Sequence, residues 1–243
     1  MKFDPPLIRA TILRRYKRFL ADVELPGGER ITVHCPNTGS MKNCLVEGSL
    51  CWLIKSDNVK RKYAYSWELA TTPTGHLAGI NTLRANMLVV EAIQNQTIKE
   101  LQGYDTLLKE QKYGSENSRI DILLRSQVNP KLPACFIEVK SVTLGVGRGL
   151  GLFPDAISVR ASKHLRELMG VVATGGRAVL VFCVQHSGIE RVRPADTIDP
   201  AYGNALRQAA SCGVELLAYK AEINPLAMAL KFEIPIELGD EGA

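Results

Sequence analysis

The sequence predicts an α/β protein that begins with an all-β barrel and continues as an α/β domain with an αβββαβ core. Three observations support this prediction. The hydrophobic pattern alternates at every second residue in the first third of the chain and changes to a period of about 3.6 near Thr82. The 243 residues exceed one typical domain. The excess of basic residues is confined to the N-terminal part. We therefore predict two domains, residues 1–82 and residues 83–243.

In the first domain, short alternating segments predict strands joined by turns. Pro26-Gly27-Gly28 separates the first two segments, which is typical of a β-hairpin. Several short strands in a small basic domain favour an OB-like barrel. The predicted strands are residues 19–25, 31–35, 50–54 and 63–69.

One of these strands carries an aromatic stripe beside basic residues. Side chains alternate along a strand, so we expect Tyr63, Tyr65, Trp67 and Leu69 to share one face. Two interpretations remain open. The stripe is a platform on which bases stack, or it is the core of the barrel.

The charge distribution predicts where a polyanion would bind. Residues 1–82 contain 12 Lys and Arg against 7 Asp and Glu, a net charge of +5, and residues 83–243 contain 18 of each kind. A basic small domain next to a neutral one indicates a docking surface for nucleic acid, although an ordinary solvated surface has the same composition. The predicted nucleic-acid-binding residues are Arg14, Arg15, Lys17, Arg18, Lys60, Arg61 and Lys62.

The composition excludes several other classes. With 46% hydrophobic residues and a mean hydropathy of -0.02, the chain is neither a disordered nor a fibrous protein. We expect no membrane association, because the longest apolar run, residues 178–184, is far shorter than the roughly 18 residues of a membrane span. Six cysteines without a CxxC pair predict a reducing cytoplasm and argue against structural zinc.

The second domain begins with a helix at Thr82, and Leu83, Met87, Val90 and Gln94 define its predicted face. The remaining elements follow from alternation, apolar runs and helical periodicity. We predict strands at residues 106–113, 118–124, 134–142, 178–185 and 214–219, and helices at residues 158–173 and 201–211.

Three charged residues within the predicted strands are the candidate catalytic group. Asp121 follows Ile120 on one strand, and Glu138 and Lys140 share a face of the next. Two converging carboxylates repel each other unless a cation joins them, and oxygen ligands suit Mg²⁺ or Mn²⁺. Such an ion can polarise a phosphoryl oxygen and generate hydroxide, while a nearby ammonium offsets charge that develops on the phosphate. The pattern predicts phosphodiester chemistry, with Asp121 and Glu138 as metal ligands.

Glu91 on the preceding helix is a candidate third acidic group, because we expect it to face inward beside Met87 and Val90. The alternative for Glu138 and Lys140 is a salt bridge on a half-exposed face, which would contribute little stability.

A glycine-rich segment, residues 145–151, separates a predicted strand from a helix. Its glycines do not have the spacing of a dinucleotide-binding turn, so a mobile flap and a plain connection remain the alternatives. Arg160, Lys163 and His164 at the start of the following helix could contact a phosphate or simply be solvated.

Five segments together resemble the sugar fermentation stimulation protein family of bacteria. The resemblance extends through nearly the whole chain. It departs from the family at Ala161, where a glycine is expected, and in the glycine content of residues 145–151. The segments are Pro36-Asn37-Thr38-Gly39-Ser40-Met41, Ser118-Arg119-Ile120-Asp121, Glu138-Val139-Lys140-Ser141-Val142-Thr143-Leu144, Phe153-Pro154-Asp155-Ala156 and Lys163-His164-Leu165-Arg166-Glu167-Leu168.

This resemblance implies an OB-like N-terminal domain and a C-terminal domain similar to the PD-(D/E)xK nucleases. It also implies DNA binding with little sequence preference and a regulatory role in maltose metabolism. By position, the nuclease signature falls on Asp121, Glu138 and Lys140, with Glu91 as its helical acid. Two functions compete: an Mg²⁺-dependent nuclease, and a catalytically silent DNA-binding regulator. A sugar-metabolising enzyme has no supporting motif.

Overall fold

The computed structural model describes residues 1–239 except residues 115 and 117. The chain begins with a closed five-stranded barrel of the OB type. Its strands follow the order β1-β2-β3-β5-β4-β1, and a parallel pairing of His34 with Ser66 closes it. A short strand continues the sheet beyond β5. The strands are β1 (Ile8–Tyr16), β2 (Leu20–Glu24), β3 (Arg30–His34), β4 (Leu50–Lys55), β5 (Tyr65–Thr71) and β6 (Leu77–Gly79).

The aromatic stripe on β5 does not share a single face. The register between β4 and β5 shifts between two pairs, Trp52 with Leu69 and Leu53 with Trp67. Glu68 is therefore an extra residue on β5 at this point. Such a bulge reverses the side-chain alternation. Trp67 consequently packs in the barrel core, whereas Leu69 packs in the core of the second domain. Trp67 is 1% exposed and its indole N–H donates to the Leu69 carbonyl, so at this position the core interpretation holds.

The second domain is built on a mixed six-stranded sheet of order β15-β14-β12-β9-β8-β7. The pairings β9–β12 and β12–β14 are parallel, and the others are antiparallel. A smaller sheet joins β10, β11 and β13. The strands are β7 (Thr106–Tyr113), β8 (Ser118–Arg125), β9 (Cys135–Val142), β10 (Leu144–Gly145), β11 (Leu150–Phe153), β12 (Arg177–Val184), β13 (Arg191–Pro194), β14 (Glu215–Asn224) and β15 (Ala227–Glu233).

Three helices cover this sheet. They are α1 (Leu83–Gln94), α2 (Val159–Ala173) and α3 (Pro200–Ser211). The buried residues of α1 belong to the cluster on one face of the sheet, and those of α2 and α3 belong to the cluster on the other. Side-chain oxygens of Ser158 and Asp199 cap α2 and α3 by accepting hydrogen bonds from backbone N–H groups. The αβββαβ order is therefore confirmed.

The structure corrects the predicted inner face of α1 and removes one of the two alternatives for the glycine-rich segment. The predicted inner face of α1 is exposed at Leu83 and Met87, because a wider apolar face formed by other residues packs on the sheet. The glycine-rich segment is not an unstructured connection, and a mobile flap stays a prediction. The segment forms the β10–β11 hairpin, whose turn contains Gly147, Arg148 and Gly149 at positive φ.

The two parts of the chain share an ionic contact that is almost removed from solvent. Glu68 of the barrel is 1% exposed and accepts two hydrogen bonds from Arg84 of α1, at 3.0 and 3.1 Å. Phe3, at the start of the chain, packs in the same cluster as α1. In the described part of the chain, no helix combines the length and apolar character needed to cross a membrane. The boundary between residues 82 and 83 remains a prediction.

Candidate active site

The candidate site lies where β8 and β9 separate. Their pairing runs from Leu124 and Cys135 to Ile122 and Ile137, and Asp121 and Glu138 are the next residues along the two strands. The Asp121 carboxylate is held on both oxygens. It accepts a 2.7 Å hydrogen bond from the Val139 backbone N–H and a 2.9 Å hydrogen bond from Asn86 of α1. The end of the strand pairing therefore places the Asp121 carboxylate at the backbone N–H of Val139, the residue that follows Glu138.

Glu138 is buried inside an ionic cluster. Its Oε1 atom accepts a 2.7 Å hydrogen bond from Lys140 Nζ and contacts His164 Nδ1 of α2. Lys140 Nζ also lies 3.4 Å from His164 Nδ1, and Arg160 donates to the other ring nitrogen. The side chains of Glu138 and Lys140 are only 3% and 12% exposed. The salt bridge between them is thus buried, unlike the half-exposed pair considered from the sequence.

The second oxygen of Glu138 is unsatisfied. Its Oε2 atom is buried and has no hydrogen-bond partner among the described residues. The hydroxyl groups of Tyr113 and Tyr202 are also buried without partners, and the charge of Glu138 contributes to raising the pKa of each, after burial. A buried carboxylate oxygen without a partner is costly, and a cation or ordered water would remove that cost.

The pKa values of the two carboxyl groups move in opposite directions. Burial, followed by the nearby charge of Glu138, raises the pKa of Asp121 above its usual value. Burial alone would also raise the pKa of Glu138. There, however, the His164 hydrogen bond and the charge of Lys140 outweigh burial and hold the pKa below its usual value. Asp121 is therefore the carboxylate whose negative charge is less compensated by its surroundings.

These residues fit a divalent cation with few protein ligands. The described residues contain no group of three or more His, Cys, Asp and Glu side chains arranged to hold a metal ion. Mg²⁺ commonly uses only one or two carboxylates and completes its shell with water and substrate phosphates. Asp121 and the free oxygen of Glu138 match that kind of site.

A cavity of about 390 Å³ is lined by residues that contact the two carboxylates, such as Asn86 and Lys140, but not by Asp121 or Glu138 themselves. Its floor is Val139, Lys140 and Ser141 of β9, and we call it the Lys140 cavity. One wall is the start of α1 and includes Asn86, which contacts Asp121. The opposite wall is the segment that leads into α2 and includes Asp155.

A loop of the barrel covers this cavity. The roof loop, residues 36–41, contributes Asn37, Thr38 and Gly39 to the lining. Ser40 Oγ donates a 2.9 Å hydrogen bond to Asp155 Oδ2, and the Met41 backbone N–H donates to the same oxygen at 3.2 Å. The cavity is therefore assembled from both parts of the chain.

Glu91 is not positioned as predicted. Its carboxylate pairs with the amino group of Met1 at 2.7 Å, and its side chain is 40% exposed. Each residue advances an α-helix by about 100°, so Glu91 points about 140° away from Asn86, the α1 residue that reaches Asp121. The geometry removes Glu91 from the candidate metal ligands.

The predicted basic residues lie mainly at one end of the barrel. The β1–β2 turn and the β4–β5 connection are brought together there by the pairings Leu20 with His34 and His34 with Ser66. Their cations are exposed. We call this surface the basic end: Lys17, Arg18, Lys60, Arg61 and Lys62.

At the basic end Arg61 donates to Ser66 Oγ at 3.0 Å, and the other two predicted basic residues also have local partners. Arg14 is exposed and donates to Asp22 at 2.8 Å. Arg15 donates to the carbonyl groups of Asn37 and Gly39, both at 2.9 Å. Arg15 thus supports the roof loop, which the sequence did not indicate.

Two further site residues lacked a decisive signal in the sequence. Asn86 is an ordinary polar residue on a helix until α1 packs beside Asp121. The sequence indicates His164 only as a phosphate contact or a solvated residue at the start of a helix. It is 6% exposed and lies between the buried residues Ala161 and Leu165, so its position on the apolar stripe of α2 was the available clue.

Comparison with known proteins gives matches over most of the chain. Residues 13–80 match the model of the SfsA N-terminal OB domain, and residues 83–227 match the sugar fermentation stimulation protein RE domain. The chain is 62% identical to a sugar fermentation stimulation protein homolog of Saccharophagus degradans, over 92% of this chain and 94% of the homolog. It is 58% identical to the homolog of Teredinibacter turnerae, over 98% and 100% of the two chains.

A solved structure shares the complete architecture. The Pyrococcus furiosus SfsA, described in complex with Ca²⁺, superposes with a TM-score of 0.85 at 25% identity. The match covers 98% of each chain. The barrel and the α/β domain therefore occur together in that protein as they do here.

Proposed function

Because this chain belongs to the sugar fermentation stimulation protein family, we propose that it binds DNA and hydrolyses phosphodiester bonds with the help of a divalent cation. The observation that carries the proposal is the buried, unpartnered Oε2 atom of Glu138 beside Asp121 and Lys140. The Ca²⁺ in the Pyrococcus furiosus protein supports a divalent ion, because Ca²⁺ and Mg²⁺ both take oxygen ligands.

Each residue of the site has a separate role in this proposal. Asp121 and Glu138 would hold Mg²⁺ or Mn²⁺, which polarises a phosphoryl oxygen and lowers the pKa of bound water. Asn86 and the Val139 N–H fix the Asp121 carboxylate. Lys140 lines the cavity and supplies a preorganised positive charge for the phosphate as negative charge develops on it.

His164 is a positioning residue rather than a catalytic one. It contacts Glu138 Oε1 and lies near Lys140 Nζ, so it keeps that oxygen occupied while Oε2 stays free. This arrangement would leave a single carboxylate oxygen available to a cation.

The test combines metal binding with DNA cleavage. By calorimetric titration, wild type should take up Mn²⁺ and Asp121→Asn should lose most of that affinity, because a neutral amide cannot offset the charge of the ion. Glu222→Gln, an exposed carboxylate on β14, is the matched control and should bind like wild type. Equal Mn²⁺ binding by Asp121→Asn and wild type would contradict the site.

A second candidate function is a catalytically silent DNA-binding regulator with little sequence preference. The ionic cluster favours it, because the Lys140 ammonium already compensates the charge of Glu138 without a metal ion. Labelled single-stranded and duplex DNA, incubated with Mg²⁺ or Mn²⁺, separates the two functions. Cleavage that Asp121→Asn abolishes supports the nuclease, and the absence of cleavage by wild type supports the regulator.

A further inference from the structure

Exposed apolar side chains are concentrated beside the Lys140 cavity. Ten large hydrophobic residues are exposed in the described part of the chain, and four of them adjoin residues that line this cavity. We call these four the apolar rim. They are Leu83, Met87, Ile157 and Val159, with exposures of 74%, 47%, 77% and 80%.

The four rim residues are sequence neighbours of residues on both walls of the cavity, and none of the four lines it. Leu83 and Met87 are four residues apart on α1 and share one side of that helix. Around the helix they lie about 60° and 100° from Asn86, in the same direction, and Asn86 lines the cavity and reaches Asp121. Ile157 and Val159 flank Ser158, which lines the opposite wall and caps α2.

The ligand that fits this surface is both anionic and apolar. Lys140 forms part of the cavity floor, and Arg160 follows Val159 at the start of α2. Phosphate groups complement these cations and the N-terminus of α2, and unstacked bases complement the rim. In a duplex the bases are paired and stacked, so their faces are not available to apolar side chains.

The roof loop restricts what can enter. It is fastened to one wall by Ser40 and Asp155, and Thr82 Oγ1 on the other side donates to the Pro36 carbonyl at 3.1 Å. A cavity of about 390 Å³ falls within the roughly 300–1,000 Å³ of pockets for small ligands. A nucleotide has that size, whereas the major groove of a duplex alone is about 12 Å wide.

We propose that the Lys140 cavity takes one unpaired nucleotide of single-stranded DNA, with neighbouring bases against the apolar rim. The preferred substrate is then a single strand or a single-stranded end. This inference rests on the proposed function for its chemistry, but the preference itself concerns binding and needs no catalysis.

Fluorescence anisotropy without divalent ions tests the preference on the full chain. The probes are a labelled 12-nucleotide single strand, the blunt duplex of the same sequence, and that duplex with a six-nucleotide overhang. Wild type should bind the single strand and the overhang at least tenfold more tightly than the blunt duplex. Equal affinity for all three would overturn the inference. This experiment does not measure cleavage. A protein that prefers single strands but does not cleave DNA still supports the inference. A nuclease without the preference contradicts the inference and leaves the proposed function intact.

Two double variants locate the contact. Leu83→Ser with Met87→Ser, and Ile157→Ser with Val159→Ser, should each weaken single-strand binding about tenfold and leave duplex affinity unchanged, because stacking and apolar contacts act on exposed bases. Val128→Ser with Leu226→Ser is the control, since both residues are exposed apolar residues elsewhere, at 83% and 76%. Unchanged single-strand affinity in both rim variants would overturn the proposal.

A measurement on wild type detects contact between a base and the rim even if the variants fold poorly. A 2-aminopurine base at the end of the single strand should change its fluorescence when it contacts the rim, and the change should disappear in the rim variants. Sedimentation of the free protein tests whether a second copy of the chain binds the rim instead of DNA. If wild type dimerises and the rim variants are monomeric, the rim is a self-association surface and the inference is wrong.

Discussion

The basic end of the barrel and the Glu138 cluster hold charge in opposite ways. At the basic end, cations such as Lys17 and Lys60 are exposed on turns. In the cluster, Glu138, Lys140 and His164 are almost completely removed from water and contact one another. Exposed charges act at a distance and are screened by salt, whereas a buried charge depends on each neighbour it contacts.

This difference separates two kinds of contribution to function. Cations at the basic end are interchangeable, so each should add a small increment to DNA affinity. Residues in the cluster are not interchangeable, so a single substitution should remove the chemistry while leaving affinity largely intact. The predictions below address this contrast in order of expected effect.

The largest effect is expected for Lys140→Ala. If the protein cleaves DNA, the loss of a preorganised cation should lower the rate on the order of 10²–10³-fold, by analogy with oxyanion-hole donors. DNA affinity should stay within a few fold, because the ammonium acts mainly in the transition state. Single-turnover cleavage and anisotropy on the same DNA measure the two quantities.

Lys231→Ala is the matched control, because Lys231 is exposed on β15. It should cleave DNA at the wild-type rate. Activity that survives unchanged in Lys140→Ala would point to a contaminating nuclease and leave the cluster without a catalytic role.

Asp121→Asn should raise the stability of the fold while it removes metal binding. Burial and Glu138 raise the pKa of Asp121, so the folded state disfavours its charge. Below the usual pKa of about 3.9, both proteins carry a neutral side chain there, so the difference between their stabilities should not change with pH. The stability gain of the variant should appear as the pH rises from that value through the raised folded pKa, and then stay constant.

Thermal unfolding between pH 3 and pH 8 without metal measures this difference. For a chain of this size, about 1 kcal/mol shifts the melting temperature by roughly 2–4 °C. A lower melting temperature for Asp121→Asn at pH 7 would show that its hydrogen bonds to Val139 and Asn86 outweigh the charge effect.

Two substitutions at the basic end should flatten the salt dependence of DNA binding. Replacing Lys60 and Lys62 by Ala should reduce the slope of log K against log salt by about 0.7 per phosphate contact on single strands. The effect should be the same for every DNA sequence. An unchanged slope and affinity would remove these residues from the DNA-binding surface.

Arg15→Ala distinguishes support of the roof loop from contact with a DNA phosphate. Arg15 donates to the carbonyls of the roof loop, so its loss should reduce the preference for single strands more than it changes the salt slope. Affinity for single-stranded and duplex DNA at several salt concentrations gives both values. A changed slope with an unchanged preference would make Arg15 an ordinary phosphate contact.

The smallest effect is expected for Glu91→Gln. Its pairing with the Met1 amino group is partly exposed, and such ion pairs contribute about 0–1 kcal/mol. Cleavage and Mn²⁺ binding should equal those of wild type. Loss of Mn²⁺ binding by Glu91→Gln would show that Glu91 contributes to the metal site after all.

Secondary structure was predictable because the pattern of each segment is local. The strand Thr106–Tyr113 has the predicted bounds, and the charges of Asp121, Glu138 and Lys140 stood out within apolar strands. The packed face of α1 was not predictable in this way. Apolar residues occur around most of that helix, and only contact with the sheet decides which of them are buried.

Most of the missed site residues depend on contacts between distant parts of the chain. Asn86 is 35 residues from Asp121, and Ser40 is 115 residues from Asp155. Neither residue type is unusual where it occurs. The register shift on β5 is similar, because a bulge depends on how β4 pairs and not on the β5 sequence alone.

The contacts that hold the roof loop should limit the exchange of one domain without the other during evolution. Ser40 and Arg15 come from the barrel, whereas Asp155 belongs to the α/β domain, and all three hold the cover of one cavity. A barrel taken from a distant relative would bring a roof loop that does not match Asp155 of the α/β domain. The two domains should therefore be inherited as a pair, and substitutions at Ser40 should be accompanied by substitutions at Asp155.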